Sequence, residues 1–391
     1  MAKGSSGAQP HTTLESWWLS LFLVLVASCL IAGLRAPDRI THPQFWAEDA
    51  FVFYADAEIG GSQALLRSYS GYLQLYARLI ASVGTHLPIR ALPGWYSVMA
   101  MVATGVTVWA VDSARMARTL TARALLVLVL LAAPFSGEIW YVLTNVQWVM
   151  ALLLVAACAA PAPTSAAATA AWLTAVGAAG LTGPFAAVFL PCPLVRLALA
   201  RDAWSRLLAV VVGVCALVAA ALLATHGRAT QMDSIGSRGW SIMQHLHARP
   251  GMSMATAAAG VVLVFALFRG SRGRDVPLAV CAAAGLSALG AVVFGTPLAV
   301  LGSLPTMGGR YVFLPWVLMM WVLVLLLDRG HRAAVVPLMV AAALAVHGFV
   351  LAPRTRYDWM GDAACLESRA ACHVVVNPGW GGGLPGRGAK P

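Results

Sequence analysis

Leu207-Leu208-Ala209-Val210-Val211-Val212-Gly213-Val214-Cys215-Ala216-Leu217-Val218-Ala219-Ala220-Ala221-Leu222-Leu223-Ala224-Thr225 carries no charge and no turn residue other than one glycine. Coiled as a helix, such a run reaches across roughly 30 Å of hydrocarbon. Comparable runs recur through all 391 residues, of which 60% are hydrophobic and 10% charged. With a mean hydropathy of +0.78, the chain is not an ordinary soluble domain. Its Ala/Leu/Val runs do not alternate, which excludes the roughly ten-residue alternating strands of a membrane β-barrel. The reading is all-α: a polytopic transmembrane helix bundle.

Outward from that run, spans are expected at Trp17–Leu34, Gly94–Val111, Ala124–Phe135, Gln147–Ala160, Ala166–Thr182 and Phe185–Leu199. The series continues with Leu207–Thr225, Met252–Phe268, Val276–Phe294, Tyr311–Leu327 and Ala333–Leu351. That makes about eleven spans. The region 35–93 is mostly polar. Within it, Ala47–Glu58 and Gln63–Ile80 read as amphipathic or interfacial helices. Gly71–Leu87, with Tyr72, Gln74, Tyr76, Arg78 and His86, is too polar for a lipid-facing span and reads as interfacial or re-entrant. Residues 1–13 read as a disordered polar leader. Val26-Ala27-Ser28-Cys29 resembles a lipoprotein cleavage box, but the apolar run continues past the cysteine, so a retained first helix is expected. The division is thus a bundle over 1–351, which includes the loop 35–93, and a short tail over 352–391.

Arginines set the orientation. Arg115, Arg118 and Arg123 share one connection, Arg196, Arg201 and Arg206 a second, Arg269, Arg272 and Arg274 a third, and Arg329 and Arg332 a fourth. With an odd number of spans all four fall on the N-terminal side, which the positive-inside rule makes cytoplasmic. A bacterial inner-membrane protein is expected, with its C-terminus outside. The loops 35–93, Ser136–Val146 and His226–Pro250 and the tail then face outward. The net charge of +11 does not indicate nucleic acid, because the arginines are scattered between apolar runs and not gathered on one face. No repeat period supports an inverted-repeat transporter. Gly177, Gly180 and Gly183 offer small surfaces for close helix packing.

The unusual polar residues collect on the expected outer side. Phe45-Trp46-Ala47-Glu48-Asp49 places two scarce acids beside aromatics where a helix meets water. They are either helix-terminal charges or a catalytic or metal-binding pair, and near-membrane acids favour the second. Glu138-Ile139-Trp140-Tyr141 and Asn145-Val146-Gln147-Trp148 combine amides with aromatic faces. Trp140 and Tyr141 fit interfacial anchors equally well. Glu138, Asn145, Gln147 and Trp148 fit the partners a sugar ring requires. Gly308-Gly309-Arg310-Tyr311 leads into a span with Pro315. Arg310 can snorkel or capture a phosphate there, with Tyr311 beside it and Arg228, Arg238, His245, His247 and Arg249 in the same outer face. Of the seven cysteines, Cys29, Cys158, Cys192, Cys215 and Cys281 lie in apolar runs and read as packing residues. Cys365 and Cys372 lie in the tail and could pair outside the cytoplasm, folding a small hairpin; the alternative is an unstructured tail.

Trp46-Ala47-Glu48-Asp49, Leu181-Thr182-Gly183-Pro184-Phe185 with Pro191, and Gly309-Arg310-Tyr311 together resemble the GT-C superfamily of membrane glycosyltransferases. Asn145-Val146-Gln147-Trp148 and Asn377-Pro378-Gly379-Trp380 look like segments of its uncharacterised bacterial members. The resemblance implies a polyprenyl-phosphate-linked sugar as donor and an acid of the first outer loop as catalytic base, a role that falls on Asp49 or Glu48, with Asp49 preferred. It implies a glycan or lipid acceptor of the cell envelope and inversion at the anomeric carbon, with the donor phosphate near Arg310. A divalent cation is compatible with carboxylates and phosphate as hard oxygen ligands, but the sequence does not demand one. No Gly-rich nucleotide loop follows a strand. The rivals are a lipid or solute transporter and a glycan polymerase or ligase.

Overall fold

The computed structural model describes residues 14–134, 136–226, 250–295, 309–368 and 370–388. Gly308 and the basic residues Arg228, Arg238, His245, His247 and Arg249 lie outside the described residues, as do residues 1–13. In chain order the helices are α1 (Leu14–Arg35), α2 (Pro37–Thr41), a π-helical turn (Asp49–Tyr54) running into α3 (Ala55–Gly60), α4 (Leu75–Gly84), α5 (Leu92–Ser113), α6 (Leu120–Leu131), α7 (Val146–Ala159) and α8 (Ala166–Gly180). They continue with α9 (Phe185–Val188), α10 (Pro191–Ala200), α11 (Ala203–His226), α12 (Pro250–Arg272), α13 (Val276–Gly295), α14 (Gly309–Asp328), α15 (Val335–His347) and α16 (Trp359–Glu367). A final hairpin pairs β1 (Cys372–Val376) with β2 (Trp380–Leu384), antiparallel.

Among the described residues, four helices are long and apolar enough to cross a membrane: Ile89–Ser113, Ala203–Thr225, Val276–Val293 and Gly309–Asp328. Shorter apolar helices accompany them, including Leu120–Leu131, Val146–Ala159 and Ala166–Gly180. The chain is therefore a largely helical, multi-pass type of bundle. Helix starts follow local chemistry. Thr119 accepts from Ala122 N (3.2 Å) at α6, Ser165 from Ala168 N (3.1 Å) at α8, Asp275 from Leu278 N (3.2 Å) at α13, and Asp358 from Gly361 N (3.1 Å) at α16.

Beyond Gln147, helix α7 is hydrophobic all round, and it is buried throughout except for half-buried Trp148. That is the signature of a helix enclosed by others. It packs on α5, α8 and α13. By contrast, α11 buries one face and exposes Val210, Val214 and Leu217 on the other, as a lipid-facing helix would. Of the three glycines expected at close contacts, Gly180 sits against Cys215 and Gly183 against Gln147, but a Cβ on Gly177 would meet nothing.

One end of the bundle gathers arginine-bearing connections. Arg329 pairs with Asp275 (Nη2–Oδ1 2.6 Å), and Asp328 accepts from Arg118 N (2.7 Å) and Thr119 N (3.1 Å). The other end carries the first loop and the tail. One expectation is corrected there. The stretch Gln63–Ile80 is not one helix. A 3-10 turn (Gly61–Leu66) ends before a tight Tyr69–Tyr72 turn, where Ser70 and Gly71 take positive φ (57° and 85°) and stop the helix, and α4 starts only at Leu75. Of the two readings of the tail, the disulfide-closed hairpin is the one found: α16 and the β1–β2 hairpin are joined by a Cys365–Cys372 disulfide.

This tail is fastened to the first loop. Asn377 N donates to Phe45 O (3.3 Å), Tyr357 N to Gln44 Oε1 (3.2 Å), Arg354 N to Asp38 Oδ2 (3.0 Å) and Tyr54 Oη to Pro385 O (3.1 Å). Phe45 packs edge-on against Tyr96 and Trp359, with ring centroids 5.1 and 4.7 Å away. Closing the short loop between residues 365 and 372 is worth about 2–3 kcal/mol to the tail. Replacing both cysteines by serine should therefore speed proteolytic cleavage within 365–388 while the bundle stays intact, as read by mass spectrometry of limited digests.

Candidate functional site

The site begins at Glu48 and Asp49, consecutive residues at the start of the π-helical turn. Neighbouring helical side chains diverge by about 100°, so the two acids cannot share a direction. Asp49 turns inward and is 2% exposed. Its Oδ1 accepts from Thr144 N (2.8 Å) and its Oδ2 from Leu143 N (3.2 Å). Glu48 stays half-buried and lines a cavity of about 540 Å³, a volume typical of small-ligand sites.

That cavity collects most of the polar residues singled out in the sequence. Glu48, Asn145, Gln147, Trp148, Arg310 and Tyr311 all lie on its wall. Two placements differ from expectation. Asp49 lies behind the wall and points at backbone amides. Glu138 is absent from the lining and meets the site through Arg310, 3.6 Å away. Asn145 Nδ2 donates to Glu138 O (2.7 Å), so one turn fixes both residues. Arg310 also stands over the Tyr311 ring at 5.3 Å. Trp148 is wedged edge-on between Phe185 (4.9 Å) and Tyr311 (5.4 Å). Pro315, inside α14, has no N–H to give the Tyr311 carbonyl.

The other walls come from segments the sequence left without a role. Leu73–Tyr76 and Leu181–Gly183 pair like short strands: Gly183 N donates to Leu73 O (2.8 Å), Leu75 N to Leu181 O (3.2 Å) and Tyr76 N to Thr182 Oγ1 (3.0 Å). This pairing brings Gln74 and Tyr72 to the cavity. Gly183 has φ +96°, and a Cβ there would collide with the Gln147 side chain. Trp380 of β2 closes a further side. The signal for Gln74 and Tyr72 was the excess polarity of Gly71–Leu87. For Trp380 it was a tryptophan standing in a glycine-rich tail. Val188, Ala288, Ala291, Val292 and Leu314 contribute apolar lining to the same cavity.

The electrostatics are shaped by buried arginines. Arg39 Nη1 donates to Gly137 O (2.7 Å) and Trp140 O (2.8 Å), and Arg354 Nη2 to Trp140 O (3.3 Å). Burial, reinforced by the neighbouring Arg39 charge, lowers the Arg354 guanidinium to about 9, against the pull of Asp49 and Asp38. Burial raises the Asp49 carboxyl to about 7. Glu48 adds to the rise, while the Thr144 and Leu143 amides and Arg354 oppose it. Burial lifts the Tyr72 phenol to about 12, so it remains a neutral hydroxyl. Among the described residues no group of three or more His, Cys, Asp and Glu side chains is assembled that could hold a metal ion.

Chemically the cavity offers one carboxylate (Glu48), three amide side chains (Gln74, Asn145 and Gln147), an aromatic wedge, a guanidinium and apolar lining. A ligand with hydroxyls, an anionic group and a hydrocarbon chain would meet a partner for each part. No family model, curated protein or solved structure matches the chain.

The Asp49 carboxyl yields a pH prediction. Its folded-state value of about 7 lies above the roughly 3.9 of an unfolded aspartate. The proton is therefore bound more tightly in the folded state. The stability this contributes is fully present below about pH 4 and is lost as pH rises through about 7. Thermal unfolding in detergent should shift to lower temperature over that window, and Asp49→Asn should flatten the slope. An equal slope in both proteins would contradict the burial of Asp49.

Proposed function

We propose that the chain is an integral membrane glycosyltransferase that moves a sugar from a polyprenyl-phosphate donor to an acceptor hydroxyl. The observation that carries this reading is that Glu48 and Arg310 line one cavity to which α13 and α14 also contribute the apolar side chains Ala288, Ala291, Val292 and Leu314. The donor's isoprenoid chain would lie against those apolar residues, its phosphate would lie at Arg310, and its sugar would face Gln147, Asn145 and Trp148. A phosphate at Arg310 would compete with Glu138 for the guanidinium, so the ion pair holds Arg310 in place until the donor arrives.

Glu48 acts as general base. It takes the proton from the acceptor hydroxyl as that oxygen attacks the anomeric carbon from the side opposite the phosphate. The new glycosidic bond forms, the anomeric carbon–oxygen bond to phosphate breaks, and polyprenyl phosphate leaves with the electron pair. One in-line displacement inverts the centre. Asp49, preferred as base on sequence grounds, is reassigned as a positioning residue. Its carboxylate is committed to the Leu143 and Thr144 amides, and it acts through the turn that carries Asn145. The outward orientation of the site and an acceptor belonging to a cell-envelope glycan or lipid are parts of the same proposal, supported by the arginine distribution of the sequence.

General-base removal typically costs about 10²–10⁴-fold in rate. Glu48→Gln should lower transfer in reconstituted vesicles by that order, with donor binding retained. Arg310→Ala should raise the donor concentration needed for half-maximal rate. Wild-type turnover by Glu48→Gln would sink the base assignment.

A further inference from the structure

Trp380 is a half-exposed aromatic on a cavity wall, carried by a strand otherwise made of Gly381, Gly382, Gly383 and Leu384. An interfacial anchor would sit on the lipid-facing perimeter, whereas this ring borders the same space as Glu48. Its position is held from several directions. Asn377, three residues earlier, bridges to Trp46, two residues before Glu48. Gly379, at φ +109°, closes the turn through a 2.7 Å bond from its N–H to Val376 O. A Cβ on Gly382 would come within 3.1 Å of the Phe51 ring, so a bare strand lets the hairpin lie flat on the first loop. The same cavity is lined by the Tyr69–Tyr72 turn, closed by reciprocal backbone bonds of 3.0 and 3.3 Å, with Ser70 at its tip.

We propose that Trp380 and the Tyr69–Tyr72 turn form an acceptor subsite for an uncharged saccharide ring. This rests on the glycosyl-transfer reading and adds the acceptor's chemical class. A pyranose presents a C–H face to an indole and hydroxyl edges to Ser70, Tyr72 and Glu48. A hydrocarbon acceptor would meet a polar rim. A sugar acid would bring its charge to the Glu48 carboxylate. Because the hairpin is tied to Trp46, the stacked ring and the base keep a fixed spacing, which orients one hydroxyl toward Glu48.

The test uses the full-length chain in nanodiscs, with tryptophans replaced biosynthetically by 5-fluorotryptophan and the Trp380 signal assigned by its loss in Trp380→Phe. The probes are the methyl glycosides of glucose, galactose, mannose and N-acetylglucosamine, and of glucuronic acid, at millimolar concentration. We expect at least one neutral glycoside, and not the glucuronide, to move the Trp380 fluorine signal. Read on the glycoside by saturation-transfer difference NMR, which does not need the Trp380 signal, Trp380→Leu should weaken that binding by about tenfold and Trp380→Phe by no more than about threefold, with the 365–372 disulfide intact in both by mass spectrometry. No glycoside response, equal binding by Trp380→Leu, or a signal that follows bilayer thickness alone would overturn the subsite. Transfer is measured separately. If wild type shows none, the parent reading falls. If it transfers sugar and Trp380→Leu keeps the wild-type acceptor KM, only this inference falls.

Discussion

The two hydrogen bonds from the Leu143 and Thr144 amides to the Asp49 carboxylate tie the site together. They join the first loop to the turn that starts α7, the most enclosed helix of the bundle. Asn145, Gln147 and Trp148 follow at once in the chain, so their placement depends on where that turn sits. The carboxylate is out of water, and removing it would leave two buried amide donors unsatisfied, which is costlier than the bonds themselves are stabilising. A raised carboxyl value is the electrostatic consequence of the same burial.

Around this link arginine side chains hydrogen-bond the carbonyls of the loops. Arg35 donates to Ala133 O (2.9 Å) and Phe349 O (3.0 Å), and Arg39 and Arg354 reach the Gly137 and Trp140 carbonyls. A guanidinium has five donors in a fixed plane, so one side chain can satisfy several carbonyls of an irregular segment. The turn 136–145 is thereby held without regular secondary structure, even with Tyr141 at φ 61°. The same arginines attach the tail, because Arg354 belongs to the segment that leads into α16.

The helices were legible because lipid imposes length and apolarity on a run, and those are visible in any window of sequence. Gly94–Val111 and Val276–Phe294 are found within a few residues at Leu92–Ser113 and Val276–Gly295. Much of the candidate site was legible too, because Glu48, Asn145, Gln147 and Arg310 are polar residues at helix ends in an oily chain. Two things were not. Which of two adjacent acids faces the cavity depends on the rotation of a short π-helical turn, and that is set by tertiary contacts of Asp49 with residues about a hundred positions away. The role of Trp380 depends on a hairpin whose strand WGGGL has no apolar alternation to announce it. Its pairing with Cys372–Val376 and its seat on Phe51 are both non-local.

If Glu48 and Arg310 serve one ligand, a cryo-electron microscopy structure with a non-hydrolysable polyprenyl-phosphonate sugar will show both residues against it. The phosphonate is expected at Arg310, the chain against Ala288, Val292 and Leu314, and the anomeric carbon beside Glu48. An analogue bound elsewhere, or bound with its sugar turned away from Glu48, would contradict that shared role.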